Sequence, residues 1–443
     1  MKKALPLMIA AGLSAGAAEF SYGADLMAVY RDAIAYDAQF ASARAALDAG
    51  REKLPQGRSG LLPTVGLAAS TTWNEVDATR RVSGATEAHT QYNNNGWTVS
   101  LSQPLFRWQN WVAYTQSELA VAQAEAQFGL ARQDLIVRAA QAYFDVLLAQ
   151  DTLATAQAQK VAIAEQLESA KRNFEVGTAT ITDTHEAQAR YDLTNAQEIA
   201  ADNDLTVKRQ VLRAVIGKEP EGLKNLKPGV QLVRPQPDDI GKWVEMAESA
   251  SASVQIYQAL FEIATREVEK QRAGHYPTLD LVATRGRSSA TNSSTLGYGS
   301  DSNASTIGLQ LSIPIFAGGN VASKDREAVA LKEKAGADLE NARRTAALNA
   351  RQAYLGVTSG LAQVKAYEAA LTSSQSALDS NKLGYEVGVR INIDVLNATS
   401  QLYDTRQKLA KSRLDTLGAL LKLKAAAGSL GEDDVAAINA LLD

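Results

Sequence analysis

FEVGTATITD (residues 174–183) and YEVGVRINID (residues 385–394) are two versions of one segment, 211 residues apart. In each, an aromatic residue, a glutamate and a valine run into a glycine, and an aspartate follows. A glycine at this place supplies the positive φ at which a helix ends, and the aspartate suits the start of the next helix. Each segment therefore reads as the turn of a helical hairpin. Working outward, Gln141-Ala142-Tyr143 is echoed by Gln352-Ala353-Tyr354, and Gln103-Pro104-Leu105-Phe106 by Ile313-Pro314-Ile315-Phe316. Leu62-Pro63-Thr64-Val65 is echoed by Tyr276-Pro277-Thr278-Leu279, and Ile216-Gly217 by Ala427-Gly428. Ordered echoes at a near-constant offset mark an internal duplication. The repeats span 25–217 and 239–428; a proline-bearing linker at 218–238 joins them, and a short segment, 429–443, follows.

Each repeat has the same order of elements. A helix is expected over 25–59 and again over 239–273. Two strands follow in each, at about 63–73 and 97–105, then at about 277–287 and 305–315. Val65, Leu67, Ala69, Thr71 and Trp73 alternate with small or polar neighbours, as do Trp97, Val99 and Leu101. Ile307, Leu309, Leu311, Ile313 and Ile315 keep the same period of two, the mark of a strand with one apolar face. Polar loops, such as 286–303, join the paired strands. Long helices are expected over 107–172 and 318–383, with return helices over 183–217 and 394–427. Val137, Ala140, Phe144, Leu147, Ala154, Ala158 and Val161 recur at the 3/4 spacing of a coiled-coil seam. Tyr354, Val357, Leu361, Val364, Leu371 and Leu378 do so in the second repeat. Helices near 100 Å long, at ~1.5 Å per residue, must project from any body of this size.

Composition narrows the function. The 443 residues carry Lys+Arg 45 against Asp+Glu 49, a net charge of −4, which argues against nucleic acid as partner. There is no cysteine and there are three histidines, His89, His185 and His275, none given a function. No metal centre, cofactor or catalytic constellation is expected. Mean hydropathy is −0.18, unlike a bundle of membrane helices. Met1-Lys2-Lys3 followed by the apolar run Ala4–Ala18 reads as a secretory signal, 1–24, with a mature start near Asp25. An uncleaved anchor is the alternative.

Four strands per chain cannot close a barrel, and an open sheet leaves edges and an apolar face exposed. Pooling strands between copies removes both problems. In an exported chain, such a barrel turns its apolar face to outer-membrane lipid. Trp73, Trp97 and Tyr298 then sit as interfacial anchors; packing at the end of a soluble strand is their plainer role.

The chain resembles the TolC family of outer-membrane channel-tunnels. Leu26-Met27-Ala28-Val29-Tyr30, Leu61-Leu62-Pro63, Ala142-Tyr143-Phe144-Asp145-Val146-Leu147 and Pro277-Thr278-Leu279-Asp280-Leu281 carry the likeness. FEVGTATITDTHEAQARYD (174–192) and GYEVGVRINIDVLNATSQLYD (384–404) are the most specific stretches. The resemblance implies an α+β membrane protein: a homotrimer whose twelve-stranded outer-membrane barrel continues into a periplasmic twelve-helix α-barrel. An equatorial collar is expected from 218–238 and 429–443. The implied function is a passive exit duct for efflux or type I secretion, carrying drugs, small molecules or unfolded proteins. Its partners would be a periplasmic adaptor (membrane fusion protein) and an inner-membrane pump of RND, ABC or MFS type. A periplasmic coiled-coil scaffold without a pore is the alternative.

Residue roles follow from the same resemblance. Asp394 matches the first acidic position of the family's pore-aperture ring, and Asn397 stands where the second is acidic. Asp394 also suits a helix N-terminus by charge alone. Thr182, Asp183, Tyr385 and Arg390 match the family's entrance latch. Asp183 has a plainer reading as the first residue of a capping box with Glu186. Val176, Gly177, Thr178, Val387, Gly388 and Val389 match the turns that meet the adaptor.

Overall fold

The computed structural model describes residues 24–79, 87–220, 222–292 and 298–443. The signal segment, except for Ala24, lies outside them. The first repeat begins with α1 (Leu26–Tyr36), α2 (Ala38–Arg51) and α3 (Lys53–Ser59). One continuous helix was expected here. It breaks because Asp37 leaves the helical region, at φ −63° and ψ 116°, and its carboxylate caps α2 by accepting from the Phe40 amide at 2.6 Å. Strands β1 (Thr64–Thr79) and β2 (Glu87–Phe106) follow, and then α4 (Trp108–Glu175) and α5 (Ile181–Ile216).

The second repeat runs α6 (Ile240–Ala250), α7 (Ala252–Arg272), β3 (Thr278–Ala290), β4 (Ser300–Ser312), α8 (Asn320–Glu386) and α9 (Asn392–Ala426). Its first helix is also broken, at Ser251, whose ψ of 132° is extended. The strand β4 ends at Ser312, short of the expected 315, since Pro314 has no N–H to donate to a ladder. Both β3 and β4 extend instead into the polar stretch read as a loop, because ladder pairing asks nothing of side-chain hydrophobicity. A last helix, α10 (Glu432–Asn439), closes the chain.

The four strands form one antiparallel sheet in the order β1-β2-β3-β4, so the two hairpins lie side by side. The register separates two faces. Val65, Leu101, Ala283 and Ile307 share one rung and Gln103, Leu281 and Leu309 another on the same face. The rung between them, on the other face, is Thr64, Ser102, Val282 and Gly308, and the next on that face is Gly66, Ser100, Thr284 and Thr306. The sheet is therefore apolar on one side and small and polar on the other. No helix covers the apolar side at its edges: Leu67 is 72% exposed and Ile307 77%.

The helical part has a packed centre. Leu26 and Val29 of α1, Tyr143 and Leu147 of α4, Leu212 of α5 and Leu421 of α9 lie in one cluster. The linker and the C-terminal segment meet beside it: Asp443 donates its amide to the Asn225 carbonyl at 2.9 Å, and Leu226 bridges Leu442. Tyr143 Oη donates to the Lys224 carbonyl at 2.7 Å, tying linker to core. From this centre α4 and α5 run out as one hairpin and α8 and α9 as another. Val161, expected in the seam, faces outward, and Ile163 takes the buried position.

Strand passes to helix with little slack. Only Arg107 separates β2 from α4, and its guanidinium grips Asp280 of β3 with two bonds of 2.8 and 2.6 Å. Asp280 is buried, so this bidentate pair fixes the angle at which the helices leave the sheet.

Candidate entrance at the helical tips

The two hairpin turns have the same geometry. Val176 caps the C-terminus of α4, and Gly177 follows at φ +79°; Val387 caps α8, and Gly388 follows at φ +77°. The left-handed conformation requires glycine at both places. The Thr178 amide donates back to the Asn173 carbonyl at 2.8 Å, and the Val389 amide to the Gly384 carbonyl at 2.9 Å. Val176, Val387 and Val389 are largely exposed at the extreme tips.

Immediately behind the turns, the two hairpins enclose a cleft of about 730 Å³ whose lining includes Asp183, Tyr385, Arg390 and Asn392. The cleft thus gathers three of the four latch positions. Thr182 lies outside it, exposed and without a side-chain hydrogen bond among the described residues.

Within one chain the three do not bond to one another directly. Asp183 closes a capping box with Thr180: its Oδ2 accepts from the Thr180 amide at 2.9 Å and the Thr180 hydroxyl at 2.8 Å. It is thus the closing acid of the box rather than its first residue, because the helix begins three residues earlier than the Asp183-Glu186 spacing suggests. The Tyr385 hydroxyl accepts from Asn173 Nδ2 at 3.0 Å. Arg390 lies 3.6 Å from Asp394, one turn along α9, instead of reaching Asp183.

The residues that join the hairpins include several the sequence reading passed over. Asn392, 1% exposed, donates from Nδ2 to the Asp183 carbonyl at 3.1 Å and accepts from Gln166 Nε2 at 2.5 Å. One side chain of α9 is thereby bonded to both α4 and α5. Asn397 accepts from Arg190 Nη2 at 2.8 Å, a second α5–α9 bond. Beneath these bonds, Ile163, Leu167, Ala187 and Leu396 form a small apolar cluster across the same three helices. The signal for Asn392 was in the sequence. It opens the buried series Asn392, Val395, Leu396, Thr399 and Leu402, and a polar residue on a seam specifies register.

At the aperture positions, Asp394 is partly shielded by Arg390 and Asn397 is engaged by Arg190. Each potential ring position therefore has an arginine of the same chain beside it, which reduces the net negative potential there.

A family profile described as "Outer membrane efflux protein" matches residues 29–218 and 243–429. The outer membrane protein TolC of Vibrio cholerae is 34% identical over 442 residues, covering 99% of this chain and 98% of that protein. Proteases secretion protein PrtF of Dickeya chrysanthemi is 30% identical over 443 residues, covering 98% and 94%. In fold, the crystal structure of the outer membrane protein VceC from Vibrio cholerae superposes with a TM-score of 0.77 at 20% identity, covering 91% of this chain and 96% of that one. With a profile matched across both repeats and relatives similar over nearly their whole length, the chain belongs to the outer membrane efflux protein family.

Proposed function

We propose that three copies of this chain form a passive exit duct for efflux or type I secretion, spanning the outer membrane and reaching into the periplasm. The observation that carries this reading is the two-faced sheet running directly into helices about 100 Å long. Its exposed apolar face suits lipid, its face of glycine, serine and threonine suits a wet lumen, and its free edges call for pairing between copies. No step of bond chemistry is needed; an inner-membrane pump, joined through a periplasmic adaptor, supplies the cargo and the work. The tips at Val176, Gly177, Thr178, Val387, Gly388 and Val389 present apolar surface to that adaptor.

The entrance opens when the α8–α9 hairpin swings away from α4–α5. Within each chain, the bonds through Asn392, Tyr385 and Asn397 oppose this, each contributing about 0.5–1.5 kcal/mol. Thr182, Asp183 and Arg390 complete the latch across subunits. Asp394 lines the narrowest ring, giving a cation preference that Arg390, Arg190 and the neutral Asn397 keep modest.

Single-channel conductance in a planar bilayer tests the reading. Wild type should show small, cation-preferring steps, and Asp183→Ala/Arg390→Ser larger ones. Large steps already in wild type would remove the latch. Failure of the folded protein to insert would favour a periplasmic scaffold.

A further inference from the structure

The lipid-facing side of β3 changes character along its length. Leu279, Leu281 and Ala283 are followed, on the same face, by Arg285 and Arg287. Register places Arg285 between Val99 and Ser305, and Arg287 between Trp97 and Asn303. Both arginines are exposed. Arg285 has no ion-pair partner among the described residues, and Arg287 has only a loose one, 3.7 Å from Asp301. The nearest acids along the outward face of β1, Glu75 and Asp77, are already engaged by Gln91 and His89.

Height decides what these side chains meet. The helices join the sheet beside Thr278 and Ser312, so the arginines lie toward the opposite, external end. Arg287 is nine residues beyond Thr278, about 30 Å of strand, or about 23 Å of height at a tilt of 35–45°. The apolar band of such barrels is about 25 Å tall, so Arg287 reaches its outer edge. Arginine on the lipid face is costly at the midplane and nearly neutral at the interface, where its stem lies along apolar surface and its head meets polar groups. Trp97, directly beside Arg287, is the side chain that favours this same level.

We infer that Arg285 and Arg287 form a docking site for the phosphorylated headgroups of outer-leaflet lipid. The inference rests on the duct reading, in which this face meets the bilayer. Two guanidinium forks on alternate residues of one strand present paired donors that match phosphate oxygens. Three copies would place six arginines around the barrel, Arg285 about 5 Å of height below Arg287. Such a belt would fix the depth of the barrel in the membrane.

Native mass spectrometry of the detergent-solubilised protein with added lipid A tests this site. Wild type should retain the diphosphorylated lipid, and Arg285→Gln/Arg287→Gln should bind it about tenfold or more weakly. Arg285→Lys/Arg287→Lys, which keeps the charge and loses the fork, should bind at a level between the two, which guards against a folding defect in the glutamine variant. Millimolar inorganic phosphate should not displace the lipid. Equal retention by the glutamine variant, equal retention of dephosphorylated lipid, or displacement by phosphate alone would each overturn the assignment. Conductance separates the two readings: a glutamine variant that conducts normally and still holds lipid defeats this site and leaves the duct standing. A wild type that never conducts defeats the duct.

Discussion

Asn392 shows how one side chain can bias a whole hairpin. Its amide, 1% exposed, bonds to Gln166 and to the Asp183 carbonyl. Asn392→Leu would keep the packing volume but leave both partners unmatched, costing the closed entrance about 1–3 kcal/mol. The open population should rise roughly tenfold or more, read as more frequent or larger conductance steps. Unchanged gating would show that the pin is not part of the latch. Asp37 is a second such residue, far from the tips. Hydrogen bonds from Arg138, at 2.9 and 3.1 Å, hold its carboxyl below the ordinary carboxylate range against the opposing effect of burial. A lowered folded value means that this stability is fully present above the unfolded carboxylate range and is lost as pH falls through the folded value. Acid should therefore lower the thermal midpoint of helix melting, by less in Asp37→Asn than in wild type. Parallel acid curves for the two proteins would remove Asp37 from the account. The resemblance brought Asp183, Tyr385 and Arg390 into view, and they do share a cleft. The partner of Tyr385, Asn173, was not legible, because a bond across two hairpins depends on rotation about helices hundreds of residues apart in sequence.

At the scale of elements, periodicity located the strands and long helices, and local chemistry decided where they stop. The alternation from Ile307 to Leu311 survives intact in β4, since a period of two is a direct consequence of the pleat. The breaks at Asp37 and Ser251 were missed because apolar spacing continues across them; the cap at Asp37 and the extended backbone at Ser251 are what turn the chain. The same alternation makes a paired prediction on adjacent residues. Leu309→Arg places a charge on the apolar face within the membrane band at a cost of up to about 2–4 kcal/mol, and should reduce insertion into vesicles. Gln310→Arg points the same charge to the other face, and should leave insertion intact while lowering cation preference in a salt gradient. Equal insertion by both variants would mean that the face carrying Leu309 does not meet lipid.

For the whole molecule, closure is the governing demand. A single chain ends its sheet at β1 and β4, each with a row of unpaired backbone groups. Such edges cannot remain open in lipid, where every N–H and C=O needs a partner. Pairing β1 of one copy with β4 of the next satisfies them and repeats until the ring closes. Two copies would give about eight strands, a barrel whose interior side chains fill it; more strands are needed for a conducting lumen. Three is the smallest number that leaves such a lumen. The same ring carries the helical part, where α4, α5, α8 and α9 contribute four helices for every four strands. The detergent-solubilised protein should therefore weigh as three chains in native mass spectrometry. Because the chain has no cysteine, a single cysteine engineered into β1 and another into β4 should cross-link only between copies and stop at the trimer. A particle that stays monomeric and resists cross-linking, yet still conducts, would break the link drawn here between the open sheet and the pore.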